Sequence, residues 1–408
     1  MKPLLLFSCL CLSLIVGATP LIPQDTSHAK QVNYDTLPVM TGADQLETYL
    51  PLLKGKKVAL IVNQTSIVGN YHTLLDTLLH RKVIIKKVFV PEHGLRGMED
   101  AGATIKNGKD KATGIDVFSL YGKNKKPSKE QLSNVDVLIY DLQDVGARFY
   151  TYISTLQYAM EACAEFGKEL LILDRPNPNG FYIDGPVLDT SLRSFVGMQP
   201  IPIVYAMTAG EYAQMLKGEK WFPGAEKLKL NVIPCVNYDH SIRYHLPVQP
   251  SPNLKTMTAV YLYPSLCLFE GTVVSVGRGT DVPFQVWGHP DFYGHGFYNF
   301  LPKSVPGAES PLHMNRTCYG QVAAMDSSEA SFILKNKVRT FWLSRGYEWY
   351  PYKEKYFNSF FEKLCGNKEL REQIEKGVSE EDIRKGWQKD LNNFKQIRKK
   401  YLLYKDFE

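Results

Sequence analysis

A chain of 408 residues is long enough for two domains. Its 44% hydrophobic and 22% charged content is that of an ordinary globular protein. The formal charge of +6 is mild and evenly spread, which argues against nucleic acid as a partner and fits an anionic small ligand or a negatively charged wall polymer.

The first residues set an expectation about location. One Lys precedes an apolar run from Leu4 to Val16, and small Gly17 and Ala18 follow. This is the pattern of a Sec signal peptide covering residues 1–18, cleaved after Ala18. The run is short for a transmembrane anchor, and no later stretch is long and apolar enough to span a bilayer. Cys9 and Cys11 lie inside the run and not behind a small residue at its end, where a lipoprotein would carry its cysteine. The expected product is an exported protein, periplasmic or extracellular, without stable membrane insertion.

From Lys56 onward, strand-like and helix-like segments alternate. "KKVALIVNQTS", "KVIIKKVFVPEHG", "GIDVFSLYG", "VDVLIYDLQDVG" and "ELLILDRPNP" read as strands. "YHTLLDTLLH" and "YTYISTLQYAMEACAEFG" read as helices, the second stopping at Gly167. Strands apolar on both faces and separated by helices imply a parallel sheet covered on both sides. The expected fold class is therefore α/β: a Rossmann-like, doubly wound domain over residues 36–240. An α+β auxiliary domain is expected over 241–408, with the boundary somewhere between Asp189 and Pro250. In the tail, Ser379 followed by Asp382 is an N-cap signature, and Trp387, Leu391, Phe394 and Ile397 recur at helical spacing as a packing stripe.

The absences narrow the chemistry. No GxGxxG follows the first strand, and no phosphate-binding P-loop, GxSxG elbow or HExxH is present. Five cysteines beyond the leader have no zinc spacing and read as buried thiols with at most one disulfide. Aromatics make up 12% of the chain, which suits either sugar stacking or a plain core.

What is present is a set of ionisable strand ends. In an open parallel sheet these converge on one edge, where ligands bind. Glu92 follows an apolar strand and Pro91, so partial desolvation can raise its pKa, as a glycosidase's acid requires. A loop carboxylate is the plain alternative. His93 fits either substrate contact or a structural hydrogen bond. Asp141 and Asp144 lie just beyond a buried strand, with Arg148 as a natural partner, and either network shaping or substrate contact is open to them. Asp174 and Arg175 pose the same choice. "GRGT" places Arg278 between two glycines, suited to a phosphate or carboxylate.

"NQTS", "PEHG", "DLQDVGARFYTYISTL", "LDRPNP", "SFVG", "MTAGE", "PSPN", "YPSLCLFEGT" and "GRGT" occur in this order, with "YLLY" near the end. Together these motifs resemble the NamZ-type exo-β-N-acetylmuramidases, glycoside hydrolase family 171. The resemblance implies a Rossmann-like catalytic domain, an auxiliary domain and a site in the cleft between them. It implies release of non-reducing terminal β-1,4-linked N-acetylmuramic acid from peptidoglycan fragments, MurNAc-GlcNAc saccharides as partners, and no cofactor or metal. It makes Glu92 the catalytic acid.

A second catalytic group is open among Asp144, Asp141, Glu270 and the substrate's own acetamido oxygen. Substrate contacts are expected from Asn63, His93, Arg96, Asp141, Arg148, Tyr150, Asp174, Arg175, Glu270 and Arg278. Four of these are arginines able to grip the lactyl carboxylate: Arg96, Arg148, Arg175 and Arg278. Two departures bear on the subsites: Val276 replaces an acid before "GRGT", and Tyr205-Ala206 replace His-Gly before "MT". Rival readings are an inactive muropeptide-binding protein and a hexosaminidase acting on N-acetylglucosamine.

Overall fold

The computed structural model describes residues 37–92, 94–96 and 107–408; the leader and His93 lie outside the described residues. Twelve strands are described. The first nine are β1 (Lys57–Val62), β2 (Ile67–Val68), β3 (His72–Thr73), β4 (Ile84–Val90), β5 (Gly108–Lys109), β6 (Asp116–Ser119), β7 (Val137–Asp141), β8 (Glu169–Leu173) and β9 (Lys229–Ile233). Seven of these form one sheet in the order β5-β6-β4-β1-β7-β8-β9. All neighbours run parallel except the short edge strand β5. The order reverses beside β1, which makes the sheet doubly wound in the Rossmann manner.

The burial pattern explains why these segments became strands. All five residues of β7 are buried, as are the last five of β1. Alternate residues feed opposite layers. Leu60, Val88 and Ile139 pack with Tyr49, Leu74 and Leu78 on one face. Ala59, Ile61, Leu138 and Tyr140 pack with Leu156 and Met160 on the other. The helix Tyr152–Phe166 covers that second face and ends at Gly167 in the left-handed conformation. The strand β9 was not expected: its burial alternates along its length, so it carries no continuous apolar run.

The second half adds helix Met257–Leu266 and the antiparallel strands β10 (Val286–His289), β11 (Tyr298–Phe300) and β12 (Cys318–Val322), in the order β10-β12-β11. The final long helix, Glu380–Arg398, starts at the Ser379 cap and buries Trp387, Leu391 and Phe394. One apolar cluster runs continuously from Leu156 under the sheet through Phe269 and Trp287 to Trp342 and Trp387. Pro38–Glu408 accordingly form one compact unit. All five cysteines beyond the leader are free and buried.

Arg148 joins the two halves. Its side chain was expected to pair with Asp141 or Asp144 and to be available to substrate. The structure corrects both points. The guanidinium is fully buried and donates to four backbone carbonyls: Pro186 (2.7 Å), Ile201 (2.8 Å), Leu364 (2.9 Å) and Cys365 (2.7 Å). Gly366 makes room for it, since a Cβ there would lie 2.4 Å from Nη2. Burial lowers the Arg148 pKa to about 10, which still leaves it charged at neutral pH. Replacing it by Met strips four buried carbonyls of their donor. Arg148→Met is expected to cost on the order of 3–5 kcal/mol in urea unfolding. A loss below about 1 kcal/mol would show that the carbonyl cluster is not structural.

Candidate active site

The rule for doubly wound sheets points to the crevice beyond β1 and β7. Here polypeptide fills that crevice. Asn63 Oδ1 accepts from Thr65 N (2.9 Å), and Thr65 Oγ1 accepts from Gln143 N (3.1 Å). Ser66 Oγ donates to the Asp141 carbonyl (2.5 Å). Arg175 holds the Asp141 carboxylate in two-pronged fashion, Nε to Oδ1 at 2.5 Å and Nη2 to Oδ2 at 2.9 Å. Both partners are buried.

Two open spaces of like volume flank that crevice, one beside β1 and one at the ends of β4 and β6. The latter, a cavity of about 470 Å³, is lined by Glu92, Tyr121 and the segment Phe149-Tyr150-Thr151. The second half completes it with Ser251, Tyr263, Glu270, Arg278, Phe284, the stretch 307–312, Phe360 and Leu364. One wall is a chain of edge-on aromatic contacts: Phe149 to Tyr263 at 5.3 Å, Tyr150 to Tyr263 at 6.0 Å and Tyr263 to Phe284 at 5.0 Å. The Tyr150 hydroxyl donates to the Pro250 carbonyl at 2.8 Å, so its ring is fixed in place.

Glu92 is half-buried at the mouth of β4. Thr151 Oγ1 donates to its Oε2 at 3.1 Å. Tyr121 lines the same cavity; burial and then the nearby Glu92 push the Tyr121 pKa up. On another part of the cavity wall, Glu270 Oε1 accepts from Arg278 Nε at 2.6 Å, and the Cys267 thiol lies 3.5 Å from Oε2.

The cavity thus contains Glu92, Tyr150, Glu270 and Arg278 from the expected set. The other described members of that set are elsewhere. Asn63 and Arg96 line a second cavity beside β1; the Arg96 side chain is 74% exposed and 3.7 Å from Asp110. Asp174 is buried and accepts from Thr208 Oγ1 (2.6 Å), Gly210 N (2.8 Å) and the Tyr404 hydroxyl (2.6 Å), so it anchors the C-terminus. Asp141, Asp174 and Arg175 are therefore structural groups and not sugar contacts.

Asp144 is corrected likewise. It does not line the cavity, its Oδ2 accepts from the Tyr205 hydroxyl and from Gly146 N, and its Oδ1 is buried without a partner. The two departures in the motifs prove to be interior: Val276 belongs to the apolar core, and Tyr205 is the partner of Asp144. Ala206 adopts φ 50°, the left-handed region that favours the expected glycine.

Sequence reasoning missed the lining from Ser251, Tyr263, Cys267 and Glu309. The first three sit inside the "PSPN" and "YPSLCLFEGT" motifs, which were the available signal. Glu309, in a Pro/Gly turn, had none.

A carboxyl group held by a hydroxyl, in a sugar-sized cavity with an aromatic wall, is the equipment of a glycoside hydrolase. Comparison with known proteins narrows this class. Residues 58–258 match the N-terminal model, and residues 261–404 the C-terminal model, of the exo-β-N-acetylmuramidase NamZ. The chain belongs to that family. It is 38% identical over 387 residues to the peptidoglycan β-N-acetylmuramidase NamZ of Bacillus subtilis strain 168, covering 90% of this chain and 91% of that protein.

Two crystal structures of DUF1343 family proteins from Bacteroides fragilis share the fold. One has a TM-score of 0.83 at 46% identity, covering 91% of this chain and all 100% of that one. The other has a TM-score of 0.72 at 30% identity, with coverages of 90% and 99%.

The interior position of Asp144 has a pH signature. Burial raises its pKa to about 6, against the hydrogen bonds from Tyr205 and Gly146, whereas an unfolded Asp titrates near about 4. The folded state therefore holds this proton more tightly than the unfolded state. Its contribution is most favourable below about pH 4, declines as pH rises to about 6 and is constant above that. Asp144→Asn removes the effect. Relative to wild type, the variant is expected to gain roughly 3 kcal/mol in urea unfolding between pH 4 and pH 7. Parallel stability curves for the two proteins would refute the assignment.

Proposed function

We propose that the protein hydrolyses non-reducing terminal β-1,4-linked N-acetylmuramic acid from peptidoglycan fragments, with Glu92 as the general acid. The observation that carries this reading is the position of Glu92. It is the cavity carboxylate at a strand end of the Rossmann-like layer, held by Thr151 beside Tyr121, and it faces a space bounded by aromatic rings. A cavity of about 470 Å³ is in the range that encloses a small ligand such as a sugar.

In the proposed step, protonated Glu92 gives its proton to the glycosidic oxygen as the C1–O bond breaks. The aglycone leaves as an alcohol, water supplies the hydroxyl at C1, and the proton that water loses restores Glu92 to its acid form. Among the side chains considered for the second role, Glu270 alone lines the cavity, because Asp141 and Asp144 are committed to the interior. The reading includes export, which rests on the apolar leader alone.

The test compares two leaving groups. A nitrophenolate departs readily without a proton, whereas a sugar hydroxyl does not. Glu92→Gln is therefore expected to lower kcat on MurNAc-GlcNAc by about 10³-fold and on para-nitrophenyl β-N-acetylmuraminide by much less. Equal losses on both substrates would remove Glu92 from the acid role. No turnover of either by the wild-type protein would defeat the reading altogether.

A further inference from the structure

Four arginines were candidates for binding the lactyl carboxylate that distinguishes N-acetylmuramic acid from N-acetylglucosamine. The structure disposes of three. Arg148 is fully buried with both terminal nitrogens committed to carbonyls, Arg175 is locked to Asp141, and Arg96 belongs to a different cavity. Arg278 is the one cation lining the Glu92 cavity among the described residues, in company with three acids, Glu92, Glu270 and Glu309. Among the described residues, an anionic sugar entering that space meets the carboxyl groups of Glu270 and Glu309 and one opposite charge, Arg278. A site for such a ligand needs that one opposite charge in a fixed position.

Arg278 is fixed. Gly277 and Gly279 on either side adopt φ 76° and 81°, and a Cβ on Gly279 would lie 2.5 Å from the Lys303 carbonyl. The turn therefore packs directly under the neighbouring loop, and glycine is required for it. The guanidinium carbon is 5.0 Å from the centre of the Phe284 ring. Nε is committed to Glu270, and it is the one hydrogen bond given by this side chain among the described residues. The terminal nitrogens are left to donate to a ligand. The side chain is 24% exposed, open to the cavity but shielded from bulk water.

We infer that Arg278 is the specificity-determining residue, binding the lactyl carboxylate through its terminal nitrogens while Glu270 holds its orientation through Nε. This rests on the proposed muramidase activity and identifies the group that selects for the anionic sugar. It also gives Glu270 a positioning role.

The experiment uses the full-length mature protein with two probes. These are the para-nitrophenyl glycoside of N-acetylmuramic acid and the same glycoside with its lactyl carboxylate converted to the primary amide. The wild-type enzyme is expected to favour the acid over the amide by roughly 100-fold in kcat/KM, the scale of a charge-assisted, two-pronged contact. In Arg278→Met, with Met chosen to keep contact with Phe284, that preference collapses to a few-fold. Arg278→Lys retains part of it, and Glu270→Gln weakens it through KM more than through kcat.

A wild-type enzyme that cleaves acid and amide equally well overturns the inference without any variant. So does an Arg278→Met protein, folded by circular dichroism, that keeps the full preference. A wild-type enzyme that cleaves neither probe while binding muramic acid defeats the muramidase reading instead, so the two failures are distinguishable.

Discussion

A buried guanidinium that no carboxylate among the described residues pairs with is the constraint on which the rest of this molecule depends. Arg148 is charged, so it must be solvated, and the fold provides carbonyl oxygens in place of water. Two come from the segments that follow β8 and two from the end of helix Phe361–Cys365. Phe149, Tyr150 and Thr151 come directly after Arg148 and line the cavity, while Phe360 and Leu364 line it from the second half. The same cation thus sets the separation of two cavity walls. Sliding one half against the other would pull carbonyls away from a buried charge. A cavity built across two sequence regions keeps its shape for this reason.

The carboxylates sort by what packs against them. Asp141, Asp144 and Asp174 follow or end the central strands, where the doubly wound layout would put a ligand, yet each is engaged by protein. Glu92 and Glu270 lie further out, where the second half leaves space. The central crevice between β1 and β7 serves as a rigid floor, and the Glu92 cavity lies one strand toward the edge. The Thr151 hydroxyl, donating to Glu92, helps to hold that carboxyl group in one orientation.

Much of this could be read from the sequence. The alternation of apolar strands with helices gave the sheet, Gly167 gave the end of its long helix, and Ser379 gave the start of the last one. Glu92 was legible because a carboxylate ending an apolar strand is an anomaly that demands a reason. The distinction between Asp144 and Glu270 was not legible. Both are acids beside apolar residues, and only the arrival of the Tyr205 hydroxyl, 61 positions away, buries the first. Arg148 was misread on the same ground: its acceptors are backbone carbonyls, which carry no side-chain signature. Strand β9 was missed because an edge strand with one solvated side looks like a loop unless its alternation is counted.

The spacing of the Arg148 acceptors also bears on how the chain is made. They lie 38, 53, 216 and 217 positions beyond it, so during synthesis the cation emerges long before its last two partners exist. A nascent chain shorter than about residue 365 that tried to close its core would trap a half-solvated charge. The Rossmann-like half is thereby discouraged from completing its packing before the second half has emerged. The same residue that makes the finished protein rigid would keep the unfinished one loose.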